Sequence, residues 1–315
     1  MATKIQTITN VEGANQLEAE DKVFYERTLL ERLLPQLNFY KDAMKKKLPK
    51  NSGRTINFRK FNSLTAPSSS LSEGVTPEGN NLDVSKIEAV VEQYGDYVTI
   101  SDLIQMTGID PVLTETSELL GEEAGELVDT KIQEGIAKGT NVYFAGGVET
   151  RAAVATNANK LTNEDIKKIV RKLKNAKAKR FADGFYHMQI DPDIAYDLMK
   201  DPFWVDVSKY AKPEQMQKGE LGKMDGMKFF ETTNLQRAIE GEKEVHISYA
   251  YGKDSYGCVD LEDGAGKPEI IVKPNGSAGT NDPLNQRASA GWKNCFVAVI
   301  TQPMALVRVE TCVNE

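Results

Sequence analysis

The side chains with the widest chemical reach are few. Two histidines, His187 and His246, and three cysteines, Cys258, Cys295 and Cys312, make up all the imidazoles and thiols. An imidazole works as general base or metal ligand when a nucleophile, carboxylate or second ligand stands at a fixed spacing. Here each histidine lies in a strand-like stretch, which predicts a packed or hydrogen-bonded ring rather than a catalytic one. Neither H-E-x-x-H nor G-x-S-x-G occurs. The cysteines are odd in number and lack metal-type spacing, so they read as reduced thiols of a cytosolic setting. Gly264-Ala265-Gly266-Lys267 lacks the glycine spacing of a phosphate loop and runs into Pro268. Asp260, Glu262 and Asp263 lack the alternating oxygen ligands of a calcium loop and read as a solvated turn. The expectation is no catalytic residue, no cofactor, no metal and no enzyme.

What the chain does carry is scaffold. Asp110 is placed to cap a helix whose first position is Pro111. Leu113, Leu120, Ala124, Leu127, Val128 and Ile132 then recur at helical spacing as one apolar stripe, with acids crowding the first half and Lys138-Gly139 as a stop. At about 1.5 Å per residue this helix reaches roughly 42 Å. It reads as a spine. Gly121, Gly125 and Gly135 interrupt it, each costing about 1 kcal/mol relative to alanine. They mark either close packing of another backbone or hinge points where the helix bends.

The remaining elements are arranged around that spine. Residues 1–19 read as a polar arm, and a helical pattern follows from Glu20 to Leu34. Leu37, Tyr40, Met44 and Leu48 continue a helical spacing up to Pro49. Arg54 to Phe61 alternates as a strand, Val84 to Gln93 returns as another, and Tyr97 to Ile100 follows. Between them, Asn62 to Asp83 is rich in Ser, Gly, Pro and Asn without a period. This predicts an extended hairpin with a long soft tip. Its apolar residues Leu64, Leu71, Val75 and Leu82 find no intrachain pattern to pack on, so they are expected to contact another subunit.

Thr140 to Asn159 reads as a Gly/Ala/Asn-rich connector. Thr162 and Asp165 form a capping box for a helix with Ile166, Ile169, Val170 and Leu173 inside. Its outer face is basic, from Lys167 to Arg180, and admits a solvated, an intersubunit or a nucleic-acid reading. Strands follow at 186–190, 227–231, 245–249 and 269–272, with a helix after Asp191-Pro192. Phe296 to Thr301 and Ala305 to Glu310 read as a closing β-hairpin around Gln302-Pro303. The class is α+β. With 40% hydrophobic and 27% charged residues the composition is that of a soluble globular protein. No apolar run reaches the roughly 20 residues of a membrane span, and the N-terminus lacks the apolar core of a signal peptide. A net charge of −7 argues against a dedicated nucleic-acid binder.

In this order of parts, and in the stretches Val23-Phe24-Tyr25-Glu26-Arg27-Thr28-Leu29-Leu30, Leu48 to Arg59, and Asp282-Pro283-Leu284-Asn285-Gln286-Arg287 leading to Gly291-Trp292-Lys293, the chain resembles tailed-bacteriophage major capsid proteins of the Hong Kong 97-type fold. The resemblance implies an N-terminal arm (1–50), an extended loop (51–100), a peripheral domain with the spine (101–158 and 285–315) and an axial domain (159–284). It implies self-assembly of hexamers and pentamers into an icosahedral head in the host cytoplasm. Scaffold, portal and decoration proteins would be partners, with weak DNA contact and no membrane. No long coiled scaffolding segment and no Lys–Asn cross-linking pair is apparent. An encapsulin-like nanocompartment shell and an unrecognised α+β enzyme are the alternatives.

Overall fold

The computed structural model describes residues 38–49, 53–61, 64, 66, 70, 73–74, 79–107, 112–201, 220–241, 243–261, 268–277 and 282–313. The expected helix from Glu20 to Leu34 and the cap at Asp110 lie outside them. Among the described residues no helix is long and apolar enough to cross a membrane.

The spine helix, Val112–Ala137, forms as its stripe demands. Leu120, Ala124, Val128 and Ile132 are buried, Ile136 extends the stripe, and Leu127 is half-buried. They pack on β13 (Arg287–Ile300), the longest strand described. β13 in turn holds β4 (Glu92–Ser101), β11 (Tyr256–Leu261) and β12 (Glu269–Lys273), all antiparallel to it, in a five-stranded sheet. The fifth strand, β1 (Met44–Leu48), pairs in parallel with β11.

A seven-stranded sheet runs β5 (Val142–Phe144), β14 (Leu306–Cys312), β10 (Lys243–Tyr251), β6 (Tyr186–Ile190), β8 (Met227–Glu231), β7 (Glu220–Met224), with β9 (Arg237–Glu240) also on β10. Helix α5 (Asn163–Asn175) covers it with Ile166, Ile169, Val170 and Leu173, all buried, and its capping box between Thr162 and Asp165 is made in both directions. Helix α6 (Pro192–Met199) is capped by Asp191, whose carboxylate accepts the Asp193 amide at 3.2 Å.

Three expectations fail. Among the described residues before the hairpin, only Asn38–Asp42 is helical, as α1, and Met44–Leu48 is β1, because the open edge of β11 offers a five-residue ladder. The Thr140 to Asn159 connector contains β5 and a helix, α4 (Arg151–Asn157), which Thr150 caps. Glycine is confined to its turn, with Gly146 at φ 75°, while Ala152, Ala153 and Ala155 favour the helix. Phe296 to Thr301 and Ala305 to Glu310 are not a hairpin. β13 belongs to the five-stranded sheet, and β14 lies between β5 and β10 in the other. Turn residues at 302–303 mark a reversal, but the partners decide the pairing. The remaining helix, α2 (Asp102–Thr107), follows β4 directly.

The seven-stranded sheet, α4 and the spine meet at a buried ionic hub. Glu310, fully buried on β14, receives Arg151 through two bonds of 2.6 and 2.7 Å. The Arg308 Nε lies 3.0 Å from the same carboxylate, and Arg308 Nη1 donates to the Ala137 carbonyl at 2.7 Å. One guanidinium therefore closes the C-terminal end of the spine and balances Glu310. Replacing Glu310 strands two cations, whereas Arg151 can be lost more cheaply because it reaches water. We expect Glu310→Gln to lower unfolding free energy of the unassembled subunit by roughly 3–5 kcal/mol. Arg151→Ala should cost less. Urea titration of both variants measures the order, and equal losses would refute the hub.

Candidate subunit-contact surfaces

The hairpin exists as a separate two-stranded sheet of β2 (Thr55–Phe61) and β3 (Val84–Val90), with Thr55 opposite Val90 and Phe61 opposite Val84. Alternation gives it two unlike faces. Ile56 and Phe58 pack at the base against Leu48, Val91 and Val259. The opposite face carries Asn57, Arg59, Phe61, Lys86, Glu88 and Val90. Arg59 and Lys86 stand directly opposite each other, a like-charge pair that disfavours the isolated hairpin.

Of the four residues expected to contact a neighbour, Leu64 is 56% exposed and Leu82 70% exposed, while Leu71 and Val75 lie outside the described residues. Phe61, at 66% exposed, joins them and was missed. Its signal was available: it sits on the polar side of an alternating strand. The body carries exposed apolar side chains of its own at Tyr97, Leu103, Ile104 and Leu119. Leu119 lies off the buried stripe of the spine, on a face it shares with Glu122 and Glu126.

A groove of about 570 Å³ crosses β13 between β4 and β12, with Tyr97, Ile271, Trp292, Lys273 and Lys293 in its walls. Gly95 and Gly291 line it too, at points where β4 and β13 approach too closely for a side chain. A Cβ on Gly95 would stand 2.5 Å from the Trp292 carbonyl, and one on Gly291 2.7 Å from the Tyr97 Cβ. Among the spine glycines, Gly121 and Gly125 are buried. At Gly135 a Cβ would lie 3.0 Å from the Ala298 carbonyl oxygen and 3.1 Å from the Ala298 Cβ, so helix and strand approach closely there.

The basic face of α5 is solvent-facing. Lys168 reaches Glu164 at 3.4 Å and Lys167 reaches Asp225 at 3.9 Å, while Arg171 and Lys174 point outward. The two histidines differ in how fully they are held. The ring of His187 stacks on Phe181 at 3.8 Å and places its nitrogens 2.7 Å from Asp42 and 3.0 Å from Asp183. With both nitrogens engaged, neither is free to accept a substrate proton. His246 is buried beside Asp191. The three cysteines are free thiols.

Burial pushes the Asp183 carboxyl up, but the Phe185 amide, the His187 ring and Lys228 outweigh it and hold it below the usual carboxylate value. A depressed folded value stabilises the fold above the unfolded pKa, near 4, and that contribution is lost as pH falls through the folded value. The stability advantage of the native chain over Asp183→Asn should therefore be full at about pH 6 and shrink below about pH 4. Melting curves of the two proteins across that range test it. A constant difference would mean that Asp183 gains nothing from its partners.

The family profile described as phage capsid protein matches residues 85–309, most of the chain. No curated protein sequence matches it. Among solved structures, the capsid of Ralstonia phage GP4 superposes with a TM-score of 0.68 at 11% identity, over 88% of this chain and 91% of that one. The Cyanophage Pam1 capsid asymmetric unit gives 0.68 at 15% identity, over 88% and 92%. The virus-like particle from Pyrococcus furiosus gives 0.52 at 11% identity, over 90% and 97%. These likenesses show a shared fold, the Hong Kong 97-type capsid fold, and the family match adds its use. A hairpin standing off the body, exposed apolar residues on hairpin and spine, and a profile spanning both sheets converge on one identity: the chain belongs to the phage capsid protein family and is a major capsid protein, a structural subunit that self-assembles into the multi-subunit shell of the virion.

Proposed function

We propose that this shell is the icosahedral head of a tailed phage or prophage, built in the host cytoplasm from hexamers and pentamers of the chain. Each copy reaches over its neighbour with the hairpin of residues 51–100. The carrying observation is the hairpin itself. A two-stranded ribbon is marginally stable alone, yet this one exposes Phe61, Leu64 and Leu82 at its far end. A neighbouring copy supplies the surface they lack. Residues 1–50 form the arm.

Residues 101–158 and 285–315 form the peripheral domain, and 159–284 the axial domain. Two separate cores support this division, one under the spine and one under α5 and α6. Each core also draws on the other range: Tyr249, Tyr251 and Tyr256 join the spine core, and Val307 and Val309 the second one. A net charge of −7 suits a container that stores DNA without gripping it. Scaffold, portal and decoration proteins are the expected further partners.

Deleting Ser68 to Gly79 should leave a folded, soluble subunit that forms no shells under negative stain. Phe61→Ser should act in the same direction with little change in subunit stability, within about 0.5 kcal/mol for an exposed site. Normal shells from the deletion would overturn the overlap.

Gly121 and Gly125 are proposed as hinges that let one spine fit several environments, whereas Gly135 has a packing role whichever way the helix bends. Gly135→Ala should lower the melting temperature of the unassembled subunit. The methyl presses on Ala298, and overpacking costs about 1–3 kcal/mol against the roughly 1 kcal/mol gained in helix propensity. Gly121→Ala with Gly125→Ala should hold or raise that temperature and yield aberrant shells. A fall in melting temperature there would mean packing at those positions too.

A further inference from the structure

We infer that Asp191, Asp193 and His246 form a binding site for one divalent transition cation of the zinc type, now screened by Arg237. The three side chains arrive from two elements. Asp191 and Asp193 bracket Pro192 at the start of α6, and His246 lies on β10 directly opposite Arg237 on β9. Their ligand atoms all fall within 4.8 Å of one another. The His246 Nδ1 is 3.4 Å from the Asp191 Oδ2. Two ligands of one tetrahedral ion at about 2.0–2.1 Å stand about 3.4 Å apart, so this pair is already spaced for a shared ion.

The independent observation is the orphaned nitrogen. His246 is 5% exposed, and its Nδ1 has no hydrogen-bond partner. It points into the acidic pair. Arg237 neutralises that pair directly: its Nε and Nη2 donate to the Asp191 Oδ2 at 3.2 and 3.0 Å, and Nη2 to Asp193 at 3.4 Å. Its Nη1 sits 3.4 Å from Glu244. Every bond Arg237 makes goes to a carboxylate, and none reaches the His246 Nδ1. A Lewis-acidic ion satisfies that nitrogen and both carboxylates together.

Charge favours the exchange as well. Asp191, Asp193 and Glu244 present three negative charges to one guanidinium. Arg237 is partly exposed and can swing into water, and Asp193, 54% exposed, can close on the ion by a rotamer change. One imidazole with two carboxylates suits zinc, cobalt or manganese better than magnesium or calcium, which take all-oxygen shells. A bound ion would staple the first turn of α6 to the β9–β10 hairpin and make the subunit more stable in proportion to cation supply.

The test is calorimetric titration of the full-length unassembled subunit with Zn2+, repeated with Co2+ while the visible spectrum is recorded. We expect one ion per chain, an intense four-coordinate cobalt spectrum, and no binding of Mg2+. Asp193→Asn removes an exposed ligand without disturbing the core and should weaken binding by about tenfold or more. Arg237→Gln removes the competing cation. If Arg237 holds the site in about nine molecules of ten, its loss tightens binding by about tenfold. No stoichiometric Zn2+ binding, binding indifferent to Asp193→Asn, or weaker binding in Arg237→Gln would each overturn the site. None of these outcomes depends on whether the hairpin reaches a neighbour.

Discussion

The contact between the apolar stripe of the spine and β13 holds the rest of the structure in place. Burying Leu120, Val128, Ile132 and Ile136 contributes at most about 1.5–3 kcal/mol each, and the glycine at 135 lets helix and strand approach closely enough to realise it. The strand so anchored is the one on which β4, β11 and β12 all pair. β4 continues directly from the hairpin through Val91, which packs with Leu48 and Val259 at the hairpin base. The direction in which the hairpin leaves the body is therefore set by the spine, through one strand and one small apolar cluster.

A shell subunit has to be finished inside and unfinished outside. The interior shows the first condition, with buried carboxylates such as Glu310 and Asp129 tied to partners from distant parts of the chain. The surface shows the second. Phe61, Leu64, Leu82 and Leu119 are exposed although the chain has two sizeable cores in which to hide them. Apolar side chains spread over an arm and a helix face, rather than gathered in one patch, give several modest contacts. Modest contacts suit a closed array in which one sequence meets slightly different neighbours.

Local chemistry was legible and pairing was not. The spine, the capping box at Thr162 and Asp165, the cap at Asp191 and the alternating hairpin strands are each written in neighbouring residues, and all appear as read. β1 was read as helix because Tyr40, Met44 and Leu48 fit a helical spacing. What decides its state is the free edge of β11, over 200 residues away. β13 and β14 carry a turn between them, yet each is claimed by a different sheet. The same limit hid the cluster of Asp191, Arg237 and His246, whose members join only when β9 and β10 fold beside α6. Phe61 needed no tertiary knowledge, only attention to which face an alternating strand turns outward.

The short segment before the hairpin shows how far the subunit is cross-braced. Phe39 is fully buried in the spine core, its amide donates to Asp129 at 3.1 Å, and its carbonyl accepts the Tyr256 hydroxyl at 2.7 Å. Three residues on, Asp42 receives the His187 ring at 2.7 Å and the Tyr251 hydroxyl at 3.0 Å. One turn of helix thus touches the spine, the five-stranded sheet and the seven-stranded sheet. A force applied to the chain ahead of Phe39 would be shared among all three rather than peeling off an edge strand. β1 alone, with its run of exposed lysines, could not resist such a load. Anchoring Phe39 and Asp42 at the junction of both sheets and the spine turns a local tug into a strain on the whole fold, which is where the buried area to resist it lies.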